Sequence, residues 1–302
     1  MNERSLSMSR IVLGLMRIDS MSVDQVTELL HFASSKGITK IDLADIYGGT
    51  RCESLVGEAF EKDPSLRNRF IVQTKVGISL DGVGYDSSKD YLVRHVKDSL
   101  SRLRCGRLDS LLIHRPDVFM DAEEVAEAIE ELQSAGLVRD FGVSNFNASE
   151  IRYLQKALRT PIRTNQVQLG LGNTTMIDQI MMTNVPAHRA SKEADDLFFF
   201  LKGEGIAIQC WSPFQVGFFE GSLFDGDRYP EINAALRRMA EKYRTSPCAI
   251  ATAFLLALTR DIEVVVGSTN PIHIQEAIDG ESIHLSKSDW YELYRDSGHF
   301  LP

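Results

Sequence analysis

Short apolar, β-branched runs alternate along the chain with longer segments whose apolar residues recur every three to four positions. Eight short runs predict strands: RIVLGL (Arg10–Leu15), ITKIDLA (Ile38–Ala44), FIVQTKV (Phe70–Val76), SLLIHR (Ser110–Arg115), DFGVSN (Asp140–Asn145), TNQVQL (Thr164–Leu169), AIQCWS (Ala207–Ser212) and EVVVGS (Glu263–Ser268). The segments between them predict helices. SVDQVTELLHFASSKG (Ser22–Gly37) has helical spacing and a closing glycine. DAEEVAEAIEELQSAG (Asp121–Gly136) has an Asp cap, acids in its first turn and a second closing glycine. SPCAIATAFLLALT (Ser246–Thr259) opens on Ser then Pro, which suits N-cap and N1. LFFFL (Leu197–Leu201) is short and flanked by charge, and predicts the core face of a helix. Strand followed by helix, eight times over, implies a parallel sheet, and eight units close naturally into an α/β, (β/α)8 TIM barrel. A doubly wound open sheet is the alternative. It calls for GxGxxG after the first strand, and GLMRID (Gly14–Asp19) does not supply it. No Pro/Gly-rich linker or low-complexity tract divides the chain, so residues 1–302 are expected to form one domain.

Composition narrows the functional classes. The 302 residues are 43% hydrophobic and 25% charged, which permits a sizeable core. A net charge of -9 argues against a broad nucleic-acid-binding face, which needs clustered Lys and Arg. MNERSLSMSR lacks an apolar signal region, and no apolar run approaches the roughly 20 residues of a membrane helix. Cys52, Cys105, Cys210 and Cys248 are scattered, without a CxxC pair or a neighbouring His cluster. They read as reduced thiols in a cytoplasmic protein, and no metal site is expected. No nucleic-acid or membrane partner is expected; composition does not give the oligomeric state, for which a monomer or weak oligomer is the expectation.

Barrel enzymes carry their chemistry at the C-terminal ends of the strands. The second strand supplies Asp42 with Tyr47 just beyond it, the third Lys75, the fourth His114, the fifth Ser144 and Asn145. The sixth supplies Asn165, Gln166 and Gln168, the seventh Trp211 and Ser212, the eighth Gly267 and Ser268. Singly, each has an ordinary explanation: an Asp that caps or pairs, a Lys that snorkels, a His satisfied in the core. A barrel makes Asp42, Tyr47, Lys75 and His114 neighbours, and their chemistry then connects. A free Tyr has a pKa of about 10 and donates poorly near neutrality. An adjacent ammonium favours the phenolate and is expected to lower that value, while a carboxylate keeps the buried Lys charged. His114 is suited to orienting the substrate oxygen. The four make a general-acid site for a carbonyl whose carbon receives a hydride.

GITKIDLADIYGG, TKVG, LLIHRPD, GVSNF, TNQVQL and VVVGSTNP, in this order from about Val12 to about Ala277, resemble the signatures of the aldo-keto reductase family. The HRPD and ADIYGG forms resemble its bacterial oxidoreductase branch of unassigned substrate. The resemblance implies the (β/α)8 barrel, an NADP (NADPH) cofactor across its C-terminal mouth, and reduction of an aldehyde or ketone. It puts the catalytic tetrad on Asp42, Tyr47, Lys75 and His114, with Tyr47 as proton donor. It puts the nicotinamide carboxamide on Ser144, Asn145 and Gln166, and the stacking aromatic on Trp211. Met16 and Arg17 join the cofactor set, as do Ser212, Pro213 and Phe214 along the pyrophosphate. Gly267, Ser268, Thr269 and Asn270 fall at the adenosine end, followed by a helix through His273 and Glu276.

The sequence departs from the family pattern at that end. Where members specific for the 2′-phosphate carry Lys or Arg, Gly267 and His273 stand here, with Ala277 in place of a common Asn. A His neither forks onto phosphate nor stacks on adenine as a guanidinium does. Backbone N–H groups at a helix start still bind phosphate, so NADPH is expected and NAD is the alternative. Few residues precede RIVLGL to form a hairpin closing the barrel bottom. Residues 212–236 read as a loop, either a cofactor or substrate lid or a long surface connection. Asp45 is expected to cap the turn or the next helix. Arg115 is expected to face solvent, with pairing to Asp117 or to an acidic substrate as the lesser reading. Phe146, Trp211, Phe214, Phe218 and Phe219 suggest an apolar or aromatic carbonyl. A cofactor-binding sensor subunit of the same fold is the alternative function. A metal-dependent hydrolase is disfavoured, because only His114 of seven histidines sits on a strand end.

Overall fold

The computed structural model describes residues 9–81, 83–182 and 196–302. The N-terminal residues 1–8, and with them the question of a hairpin before the first strand, lie outside the described residues. Eight apolar runs form the parallel strands of one closed barrel: β1 (Ile11–Gly14), β2 (Lys40–Asp42), β3 (Ile71–Val76), β4 (Leu108–Ile113), β5 (Val138–Ser144), β6 (Ile162–Gln168), β7 (Ala207–Trp211) and, after the hairpin β8 (Gln215–Val216) and β9 (Gly221–Ser222), β10 (Ile262–Val266). The order around the barrel is β1-β10-β7-β6-β5-β4-β3-β2, so strand order follows the chain and each crossover is a helix. β4 ends at Ile113 and β10 at Val266, earlier than expected. His114, Gly267 and Ser268 therefore sit on loops, where a side chain is free to reach over the mouth.

The helices start and stop where local chemistry requires. Ser22 caps Val23–Ser35 through a reciprocal capping box with Gln25, and Asp121 caps Ala122–Ser134. Ser246 caps Pro247–Leu256, whose residues are all buried from Cys248 onward. Phe198 and Leu201 are the buried face of the helix Leu197–Glu204. Between barrel and helices a continuous apolar cluster runs from Ile11 to Tyr294, the one core among the described residues.

Residues 212–236 are more ordered than a loop. They contain the β8–β9 hairpin and the start of the helix Pro230–Tyr243, whose Pro at N1 is a start signal the expectation passed over. The hairpin is fastened to β6 and the chain beyond it: Gln168 Nε2 donates to the Gly217 carbonyl at 2.5 Å, and Gly217 N to the Gly172 carbonyl at 3.3 Å. Its base packs so closely on the chain after β6 that a Cβ at Gly170 would lie 2.2 Å from the Pro213 carbonyl oxygen. Only glycine permits that approach.

Candidate active site

Asp42 ends β2, Tyr47 stands in the turn beyond it, Lys75 is the penultimate residue of β3, and His114 follows β4. Parallel pairing brings these ends side by side. The Lys75 ammonium is fully buried and donates to Asp42 Oδ2 at 2.7 Å, to the Leu43 carbonyl at 2.7 Å and to the Tyr47 hydroxyl at 3.1 Å. Its three donors thus have three acceptors. Burial works against the ammonium, but Asp42 and then Tyr47 more than offset it, and its pKa lies above the ordinary lysine value.

The phenol behaves differently from the expectation. Burial raises the Tyr47 pKa, and the opposing pull of Lys75 does not reverse it. Tyr47 is therefore a protonated phenol at neutrality, a loaded donor. The Lys75 ammonium, 3.1 Å from the Tyr47 oxygen, is a cation placed where it would stabilise a phenolate. The His114 ring meets Tyr47 edge-on, with centroids 5.9 Å apart at 82°. Burial, then Lys75 and Arg115, hold its pKa well below the usual histidine value, so the imidazole is neutral. Its buried Nδ1 has no hydrogen-bond partner in the protein.

Beneath the tetrad lies a polar layer the sequence reading missed. Gln73 Nε2 donates to Asp42 Oδ1 at 2.7 Å and Gln166 Nε2 to the same oxygen at 2.9 Å. Gln209 links the two amides and passes the chain to Glu263, which Lys40 holds at 2.7 Å. The register pairs Asp42 with Gln73 and Gln166 with Gln209, so these residues share the barrel interior. Asp42 is fixed from two sides before Lys75 reaches it. Gln166 spends its amide hydrogens on Asp42 and Gln209, which leaves its carbonyl oxygen for a ligand.

A cavity of about 820 Å³ opens above the tetrad, lined by Tyr47, His114, Ser144, Asn145, Gln166 and Trp211 at one end. It continues past Met16, Arg17, Ser212, Pro213 and Phe214 to Gly267, Ser268, Thr269, His273 and Glu276. At the tetrad end the indole Nε1 of Trp211 donates to Asn145 Oδ1 at 2.9 Å. Asn145 donates to Ser144 Oγ at 2.8 Å, and Ser144 to the Gln166 carbonyl at 2.8 Å. At the other end Arg17 Nη1 donates to the Gly267 carbonyl at 3.3 Å, and Ser268 Oγ lies 3.4 Å from His273 Nδ1. A guanidinium, two hydroxyls and the start of the helix Pro271–Asp279 make this end suited to an anionic group.

Asn270 is not among the cavity-lining residues; its side chain caps that helix by accepting from Ile272 N at 3.0 Å. Ala277 is fully buried, facing the core. Phe146 is also buried rather than at the mouth. Arg115 corrects the outward reading: it lines the cavity, its guanidinium 5.8 Å from the centre of the Trp211 ring. Phe219, in the hairpin turn, stacks on the same indole at 5.9 Å.

Asp45 caps nothing. It is fully buried, neither carboxylate oxygen has a hydrogen-bond partner, and Oδ2 stands 3.3 Å from His95 Nδ1. Burial, then the neighbouring Glu53, raises its pKa to about 7. The folded protein keeps this proton where the unfolded chain, with an ordinary pKa of about 3.9, has lost it. The stability it contributes is complete below about pH 4 and lost as pH rises through about 7. Asp45→Asn keeps a neutral side chain at every pH. The wild type is expected to lose about 2–4 kcal/mol relative to Asp45→Asn between pH 4 and pH 8, read from urea midpoints. A difference that does not change with pH contradicts the assignment.

Residues 10–295 match the Aldo/keto reductase family. The chain belongs to the aldo/keto reductase family. This aldo/keto reductase is 33% identical over 300 residues to a 6-dehydroglucose reductase of Agrobacterium fabrum, covering 96% of this chain and 94% of that one. It is 30% identical over 294 residues to the oxidoreductase YdhF of Escherichia coli, covering 94% and 92%. Its fold overlays an aldo/keto reductase of Klebsiella pneumoniae crystallised with NADP and acetate, at a TM-score of 0.75 and 22% identity, covering 96% of this chain and 92% of that one. At that identity the likeness is one of fold.

Proposed function

We propose that the chain reduces an aldehyde or ketone to an alcohol with NADPH, and that Tyr47 delivers the proton. The observation that carries this reading is the Lys75 ammonium, bound to Asp42 and 3.1 Å from the Tyr47 hydroxyl at the floor of the cavity. A carbonyl oxygen seated between Tyr47 and His114 gains negative charge as its carbon is reduced. Tyr47 transfers its proton to that oxygen, and Lys75 stabilises the resulting phenolate. His114, neutral, donates a hydrogen bond that orients the oxygen. The nicotinamide supplies the hydride when bound. Ser144, Asn145 and the Gln166 side-chain oxygen are the groups suited to its carboxamide, and Trp211 to its ring. Arg17, Ser268 and the helix start at Pro271 suit its phosphates. The hairpin bearing Phe218 and Phe219 fits a cover over that groove, since Gln215, Phe219 and Ser222 line it.

Arg17 stands close to Gly267, which has no side chain of its own to meet a phosphate: a Cβ there would be 3.9 Å from the Arg17 guanidinium. Arg17→Ala is expected to raise the Kd for NADPH about 10- to 100-fold, the worth of a charge-assisted hydrogen bond. A fluorescence titration reads this, and an unchanged Kd removes Arg17 from the phosphate site. The function itself is tested by cofactor consumption across aldehydes, ketones and a hexose carrying an aldehyde, as the name of the Agrobacterium relative suggests. Consumption with none of them contradicts the proposal.

A further inference from the structure

We propose that Arg115 forms an anion subsite at the substrate end of the cavity, selecting carbonyl compounds that carry a carboxylate. The inference rests on the reductase reading of the same cavity. Arg115 directly follows His114 on the loop after β4, and both line the cavity that Tyr47 also lines. Its guanidinium lies over the Trp211 ring, and contact with a ring face consumes none of its five N–H donors.

No carboxylate compensates it among the described residues. Asp117, two positions on, accepts from Ser87 N, Ser87 Oγ and Phe119 N. Asp42 is held by Lys75, Gln73 and Gln166. The remaining acid of the cavity, Glu276, belongs to the helix after β10, and β10 stands four strands from β4 in the closed ring, across the barrel. With the Lys75 charge already paired to Asp42, the uncompensated Arg115 guanidinium over the Trp211 ring leaves this end of the cavity positive. Such a field draws in an anion, and the planar fork matches a carboxylate in two-point contact. A substrate whose carboxylate meets Arg115 has its carbonyl held near Tyr47 and His114.

The rival role for Arg115 is as a prop for Trp211. Two aldehydes that differ by one methyl group and one charge separate the roles: 4-carboxybenzaldehyde and its neutral methyl ester. Arg115→Ala is expected to lower the ratio of their kcat/KM values about 10- to 100-fold, through KM of the carboxylate, and Arg115→Lys to recover part of it. Equal losses on both aldehydes, or a ratio that does not move, overturn the subsite. Benzoate gives a readout independent of turnover, since an anion at Arg115 sits beside one of only two tryptophans in the chain. Saturable quenching by benzoate is expected in the wild type and not in Arg115→Ala. If neither aldehyde is reduced while benzoate binding still depends on Arg115, the reductase reading falls and the subsite stands. If the ester is reduced while benzoate has no effect, the reverse holds.

Discussion

Tyr47→Phe is expected to lower kcat about 10²- to 10⁴-fold, the range for loss of a positioned general acid. The Kd for NADPH should change by no more than about 2-fold, because the lost hydroxyl faces the substrate rather than the cofactor phosphates. Phe preserves the ring that meets His114 edge-on and the ammonium contact at 4.8 Å from the ring centre, so the turn after β2 should keep its shape. The direction of the phenol's pKa adds a second readout. Burial holds Tyr47 protonated beyond its ordinary value, so kcat should be level through neutrality and fall only on the alkaline side. A kcat that falls with rising pH between 6 and 8 would mean another group supplies the proton.

Lys75→Met is expected to damage stability and activity together. The Lys75 and Asp42 side chains are 1% and 4% exposed, so the pair is sealed from water. Without the ammonium, Asp42 keeps the amide donors of Gln73 and Gln166 on one oxygen and loses its partner on the other. Removing one member of a buried pair costs about 3–5 kcal/mol. Urea unfolding should show that loss, together with a fall in kcat at least as large as that of Tyr47→Phe, since a phenolate at Tyr47 would then have no cation beside it. A variant destabilised by less than about 1 kcal/mol would mean Asp42 is protonated or wetted in the fold.

Much of this arrangement was legible in the residue order. The apolar runs named the eight barrel strands. The polar residue closing each run placed Asp42, Lys75 and His114 at one mouth, and ADIYGG placed Tyr47 beside them. What escaped has physical causes. Gln73 and Gln209, which join Gln166 beneath the tetrad, sit on inward strand positions, but a glutamine in a strand looks the same in sequence whether it faces water or a sealed polar layer. The Tyr47 pKa depends on a contest between burial and Lys75, and burial is a property of the closed barrel. Arg115 follows His114 without any pattern that says which way it turns, and its direction emerges only with Trp211 above it. Phe146 looked like a mouth aromatic, yet it is buried and its carbonyl accepts from Asn165 Nδ2 at 2.8 Å. Asp45 resembles an ordinary turn acid, and only the packing of His95 and Glu53 around it reveals a carboxyl without a hydrogen bond.

The most direct test of hydride and proton delivery is label transfer from NADPH carrying deuterium at both nicotinamide C4 positions, with an aromatic aldehyde as acceptor. The account predicts deuterium on the new carbinol carbon in a one-to-one ratio with cofactor consumed in the wild type, and label appearing about 10²- to 10⁴-fold more slowly with Tyr47→Phe despite intact NADPH binding. Label transfer at the wild-type rate in Tyr47→Phe, or NADPH bound without transfer to any carbonyl in the wild type, would contradict it.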